Sequence, residues 1–226
     1  MQVFLIDDSA SMKSHKRPAV ELFEALAYAV KETDPDGLDL YFTDPTAPGP
    51  VHNKDTTKLV KAVETRRFDK NVDLTGKLTK ILEDYEKRLE GGKGSWFSSL
   101  KFWERPPRPM TVYIFTDGVW CSKYRTEMQD LMVTVEDILS KTNADESHLG
   151  IQFIRFGEEA KESHDLQQIC GFMKRCSTSH FLSTLKILAM LTPIRNIIDV
   201  EPLNKGNVWK MLLGTSTHWS PWRTPN

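Results

Sequence analysis

Three short clusters of acids and hydroxyls could do chemistry in this chain: Asp7-x-Ser9-x-Ser11, Thr75-Gly76 and Thr116-Asp117-Gly118. Carboxylates and hydroxyls are oxygen donors that can hold a ligand, and they are equally the groups that cap helices and stabilise turns. Their position separates these uses. Val3-Phe4-Leu5-Ile6 is too short for a helix face and is bounded by polar residues, so it reads as a strand buried on both sides, the kind found in parallel sheets. Thr111–Phe115 reads the same way and delivers Thr116-Asp117-Gly118. Ligands of an open α/β sheet bind outside the carboxyl ends of its strands, so Asp7, Ser9, Ser11 and Asp117 fall on the functional edge. Taken singly, each cluster is weak: Asp-x-Ser-x-Ser can be a loop of capping residues, and Thr75 the cap of a helix.

The intervening sequence supplies the elements that would hold these clusters. Between Pro18 and Thr33, Val20, Phe23, Ala27 and Val30 recur at helical spacing, and Asp34-Pro35-Asp36-Gly37 ends the stretch. Leu38–Thr43 reads as a strand, followed by turn-forming residues and a short edge strand near Val51. A helix over Asp55–Thr65 turns Leu59, Val60 and Val63 inward. The next is expected to open at Thr75 and carries Leu78, Ile81, Leu82, Tyr85 and Leu89 up to Gly91-Gly92. A helix over Tyr124–Lys141, a strand over Leu149–Phe156, a helix from near Glu159, a helical run Leu185–Leu191, a last strand Ile197–Val200 and a closing helix Val208–Leu213 complete the pattern.

Strands alternating with helices predict an α/β fold: Rossmann-like, doubly wound, with a mainly parallel sheet and helices on both faces. One domain is expected over residues 1–214, with a C-terminal tail at 215–226. The connector bearing Trp96, Phe97, Phe102 and Trp103 and the tail bearing Trp219 and Trp222 are expected to meet at the sheet end opposite the acid clusters.

Composition removes several function classes. The 226 residues carry a formal net charge of -1, so no bulk electrostatic attraction to nucleic acid or to an anionic membrane is expected. Val3–Ile6 has no basic segment before it and is far shorter than a signal-peptide core or a membrane span, which predicts a soluble cytoplasmic protein. Cys121, Cys170 and Cys176 form an odd set without a CxxC pair, which favours reduced thiols over a disulfide framework or a zinc site. Gly91-Gly92-Lys93-Gly94-Ser95 lacks phosphate-loop spacing and follows a helix, so it reads as a connector.

In this order and context, the three clusters together resemble the metal-ion-dependent adhesion site of the von Willebrand factor type A (VWA) domain. The resemblance spans nearly the whole chain. It implies that Ser9 and Ser11 bind a divalent cation directly, that Thr75 does so directly or through water, and that Asp7 and Asp117 act mostly through water. The residue types suit that task. Mg²⁺, or Mn²⁺ in its place, takes about six oxygen ligands. Neutral hydroxyls satisfy it without neutralising it, which leaves an open position for an acidic oxygen. The implied function is non-enzymatic recognition of a protein partner that supplies an Asp or Glu. Lys13, Lys16 and Arg17 would lie beside the site, and Trp120 on its rim.

The sequence departs from the family at Asn71-Val72-Asp73-Leu74-Thr75, where many members have glycines, and residues 170–195 match poorly. Asp8 is an extra acid, read here as a solvated side chain. One rival is a phosphatase of the haloacid dehalogenase type, which needs a nucleophilic aspartate and a second acid two positions on; here that position is Ser9. The other rival is a VWA scaffold whose metal site is vestigial.

Overall fold

Val3 to Ile6 are each no more than 1% exposed, so the first strand, β1 (Gln2–Ile6), is covered on both faces as its unbroken apolar run requires. The structure is a computed structural model that describes residues 1–31, 34, 36–91, 108–119, 134–135, 137–138, 140–141, 148–157 and 198–202. After β1 come a 3-10 turn (Ser11–His15), α1 (Lys16–Lys31), β2 (Leu38–Phe42), β3 (Val51–Asn53), α2 (Thr56–Thr65), α3 (Leu74–Gly91), β4 (Met110–Thr116), β5 (Leu149–Arg155) and β6 (Ile198–Pro202).

The six strands among the described residues form one sheet in the order β3-β2-β1-β4-β5-β6. Every pairing is parallel except β2 with β3, the expected edge hairpin. The order runs outward from β1 in both directions, so the crevice at the carboxyl ends of β1 and β4 is the topological switch point of an α/β sheet. Asp7 and Asp117 follow those two strands.

Alternation along the strands splits the core in two. Val3, Leu5, Val112, Ile114, Ile151 and Phe153 pack with Leu78, Ile81, Leu82 and Tyr85 of α3, and with Val135 and Ile138, which are helical. Phe4, Ile6, Tyr113, Phe115 and Ile154 face α1 and α2, where Phe4 stacks on Tyr113 with centroids 5.0 Å apart. The α/β architecture with helices on both faces is therefore as expected.

α1 starts at Lys16, fed directly by the 3-10 turn, so Pro18 falls in its first turn. One boundary differs. α3 starts at Leu74 rather than Thr75. Its cap is Asp73, whose Oδ1 accepts from Gly76 N at 3.0 Å, and Lys77 N bonds Asp73 O at 3.1 Å. A Cβ on Gly76 would lie 2.6 Å from either Asp73 carboxylate oxygen, so glycine is what admits this cap. The aromatic connector, Trp120, the cysteines, most of the helix expected over Tyr124–Lys141, residues 170–195, the closing helix and the tail 215–226 lie outside the described residues.

Candidate functional site

Each cluster sits at the carboxyl edge, and hydrogen bonds tie the first to the third. Asp7 continues the β1 ladder through Asp7 N to Phe115 O at 2.9 Å. Its side chain is fully buried and both oxygens are engaged: Oδ1 accepts from Ser9 N at 3.0 Å and Oδ2 from Thr116 Oγ1 at 2.8 Å. Burial pushes the Asp7 carboxyl up to about 6, with the like charge of Asp117 adding to the rise and the bonds from Ser9 and Thr116 opposing it. Among the described residues no cation lies against it, so this buried carboxylate is held at a cost.

Ser9 and Ser11 bring their hydroxyls together, with the two Oγ atoms 2.9 Å apart. Asp117 is 2% exposed; Oδ1 accepts from Val119 N at 3.0 Å, and the turn that allows this passes through Gly118 at φ 84°. Gly118 N in turn bonds Thr116 Oγ1 at 3.1 Å.

Thr75 arrives on a different element. The segment before α3 is fixed to the edge by a parallel bridge between Ser9 and Lys70, by Lys70 N to Asp8 O at 3.3 Å, and by Asp73 N to Thr43 O at 2.9 Å. Asp73 does the capping, so the Thr75 hydroxyl is released from it. Thr75 is 1% exposed, and its Oγ1 has no hydrogen-bond partner among the described residues.

Asp8 corrects the expectation of a solvated acid. It is fully buried: Oδ1 accepts from Thr43 Oγ1 at 3.0 Å and from Asp44 N at 2.9 Å, while Oδ2 meets Arg66 Nη2 at 2.6 Å and Nε at 2.7 Å. Arg66 Nη2 also reaches Asp44 Oδ2 at 2.9 Å, and the guanidinium lies 4.6 Å from the Phe42 ring centroid. A bond from the Thr46 hydroxyl is the main reason that the Asp44 carboxyl lies below the usual range, and Arg66 adds to the effect. Asp8 thus locks the ends of β1 and β2 to the chain leaving α2.

The basic residues beside the site are less free than the sequence implies. Lys16 Nζ donates to Arg66 O at 2.8 Å, and Arg17 pairs with Glu21 at 2.8 Å. Sequence reasoning missed Asp73, Arg66 and Asp44. Asp73 was legible, since it stands three residues before Gly76 in a cap arrangement; Arg66 gave no local signal. Among the described residues no three His, Cys, Asp or Glu side chains gather as a metal cluster.

No family profile matches the chain, and no curated protein does. Among solved structures it is similar to the SpRpn10 VWA domain, at 11% identity and TM-score 0.46 over 94% of this chain and 93% of that one. It is also similar to proximal thread matrix protein 1 from the mussel byssus, at 14% identity and TM-score 0.43 over 74% of this chain and 40% of that one. No helix among the described residues is long and apolar enough to cross a membrane.

Proposed function

We propose that this chain is a metal-dependent recognition domain of the VWA type, which holds Mg²⁺ or Mn²⁺ at its carboxyl edge and binds a protein partner through an Asp or Glu of that partner. Ser9, Ser11 and Thr75 would hold the ion through their hydroxyls, while Asp7 and Asp117 would act through water. The observation that carries this reading is the Thr75 hydroxyl, unengaged among the described residues, on the edge where Ser9 and Ser11 face each other and the buried Asp7 has no counter-ion among those residues. The donor set fits a hard cation: all its atoms are oxygens, and only two carboxylates would offset the charge. When bound, the ion would supply an electrophilic position for an acidic oxygen.

The protein's own residues do the rest. Thr116 and Ser9 fix the Asp7 carboxylate with one hydrogen bond to each oxygen, which favours an indirect role for Asp7, and the second acid a phosphatase would need two positions on is replaced by Ser9. These features support recognition over catalysis, and a cytoplasmic setting accords with that reading.

Thermal melts test the reading. A cation that binds only the folded chain stabilises it by about 2.7 kcal/mol at a hundredfold excess over its Kd. Ser9→Ala with Ser11→Ala, and separately Thr75→Val, are expected to remove most of that gain. Thr75→Val should leave the metal-free melting temperature unchanged or higher, because the hydroxyl it removes has no partner among the described residues. An unchanged melting temperature in saturating Mg²⁺ and Mn²⁺ would establish the vestigial-site rival. With a partner in hand from a chelator-eluted pull-down, binding that survives Asp117→Ala would place recognition elsewhere.

A further inference from the structure

Arg155 closes β5 on the same edge and takes no part in anything described so far. In the β4–β5 register it stands opposite Thr116, and Asp7 stands opposite Thr116 on the other side through its ladder bond to Phe115. Leu5, Ile114 and Phe153, two residues before each, all pack toward α3. Asp7, Thr116 and Arg155 therefore form one row across three strands, on one face of the sheet, at the switch-point edge.

Arg155 is only 6% exposed, and its Nε is buried with no hydrogen-bond partner. Among the described residues no carboxylate or carbonyl pairs with its guanidinium. That is an unusual state for a group that stays charged and carries five donors. The nearest acids are turned to other donors: Asp7 spends its oxygens on Ser9 N and Thr116 Oγ1, Asp117 Oδ1 holds Val119 N, and neither acid pairs with Arg155. Among the described residues the guanidinium is left without an acceptor.

We propose that Arg155 is an anion-binding residue that receives the partner's carboxylate on the β5 side of the site; this rests on the recognition function proposed above. A planar carboxylate matches the guanidinium fork with two parallel hydrogen bonds. Its single charge also suits a position beside Asp7 and Asp117 better than the double charge of a phosphate monoester.

The test uses the full chain with sodium acetate as the probe, against sodium chloride at equal ionic strength, in chelator and in Mg²⁺. At a tenfold excess over its Kd, acetate is expected to raise the melting temperature by about 3–6 °C. Arg155→Met should abolish that shift and melt in chloride no lower than the parent, since it removes a buried charge without a partner. Arg155→Lys should keep a reduced shift. If Arg155→Met does not fold, the arginine Nε–H resonances of the parent protein decide: one must move on addition of acetate and not of chloride.

An acetate shift that survives Arg155→Met overturns the proposal. So does a folded Arg155→Met that melts lower in chelator, which would make Arg155 an internal counter-ion. Inorganic phosphate stabilising more than acetate overturns the carboxylate assignment. Loss of the Mg²⁺ effect with the acetate effect intact would refute the metal reading alone, and the reverse would refute Arg155 alone.

Discussion

Replacing Arg66 with methionine removes a charge while keeping most of its stem against Phe42, and it isolates the buried ionic cluster beneath the site. Asp8 is fully buried and the Asp44 side chain is 8% exposed, so Arg66→Met leaves two carboxylates without their shared cation. Breaking a buried pair by removing one partner costs about 3–5 kcal/mol. The lower end applies here. The Arg66 side chain is 22% exposed, Asp8 keeps its bonds from Thr43 Oγ1 and Asp44 N, and Asp44 keeps those from Thr46. For a chain of this length, about 3 kcal/mol corresponds to a fall of roughly 6–12 °C in melting temperature.

The opposite change should cost less. Asp8→Asn keeps an acceptor for Thr43 and Asp44, and leaves Arg66 paired with Asp44 and partly hydrated, so about 1 kcal/mol is expected. The double variant should be milder than the sum by about 1–2 kcal/mol, the coupling of residues in contact. Urea unfolding at neutral pH in chelator measures all three without a metal contribution. If Arg66→Met costs under about 1 kcal/mol, or if the two changes simply add, Asp8 is not held by Arg66 and the account of this cluster is wrong.

Asp73→Ala should destabilise the metal-free chain by about 1 kcal/mol, the usual loss for an N-cap, and should weaken Mg²⁺ stabilisation because the turn that presents Thr75 frays; an intact Mg²⁺ effect would show that Thr75 is not needed. The pH dependence should expose Asp44. Its folded pKa lies below its ordinary value of 3.8, so its contribution is present above that pH and is lost as pH falls through the depressed value. Thr46→Val should therefore cost about 1 kcal/mol at pH 7 and progressively less in acid, and a cost that does not change with pH would refute the assignment.

The strand ends were legible because buried parallel strands leave unbroken apolar runs, as in Val3–Ile6 and Val112–Phe115, and polar residues can only follow where the sheet stops. Helix positions were legible from spacing, as Leu78, Ile81, Leu82 and Tyr85 show by packing in one cluster. The start of α3 was not. Asp73 and Thr75 are both good caps, and the choice between them is made by the tertiary bond from Asp73 N to Thr43 O, which no local pattern contains. Asp8 was misread for the same reason, since its partner Arg66 lies 58 residues away.

The adjacent acids Asp7 and Asp8 show how one edge can serve two ends. Successive residues of an extended chain point to opposite faces, so the same strand end sends one carboxylate each way. Asp8 follows Phe4 and Ile6 toward α1 and α2, where Arg66 neutralises it and the loops after β1 and β2 are fixed. Asp7 follows Val3 and Leu5 toward α3, where it meets Thr116 and, among the described residues, has no cation against it. One face carries the cost of buried charge and cancels it internally. The other holds its carboxylate through hydrogen bonds alone among the described residues and, two strands on, carries a guanidinium that meets no carboxylate there. That asymmetry between Asp7 and Asp8 is the reason the α3 face is the one proposed above for recognition.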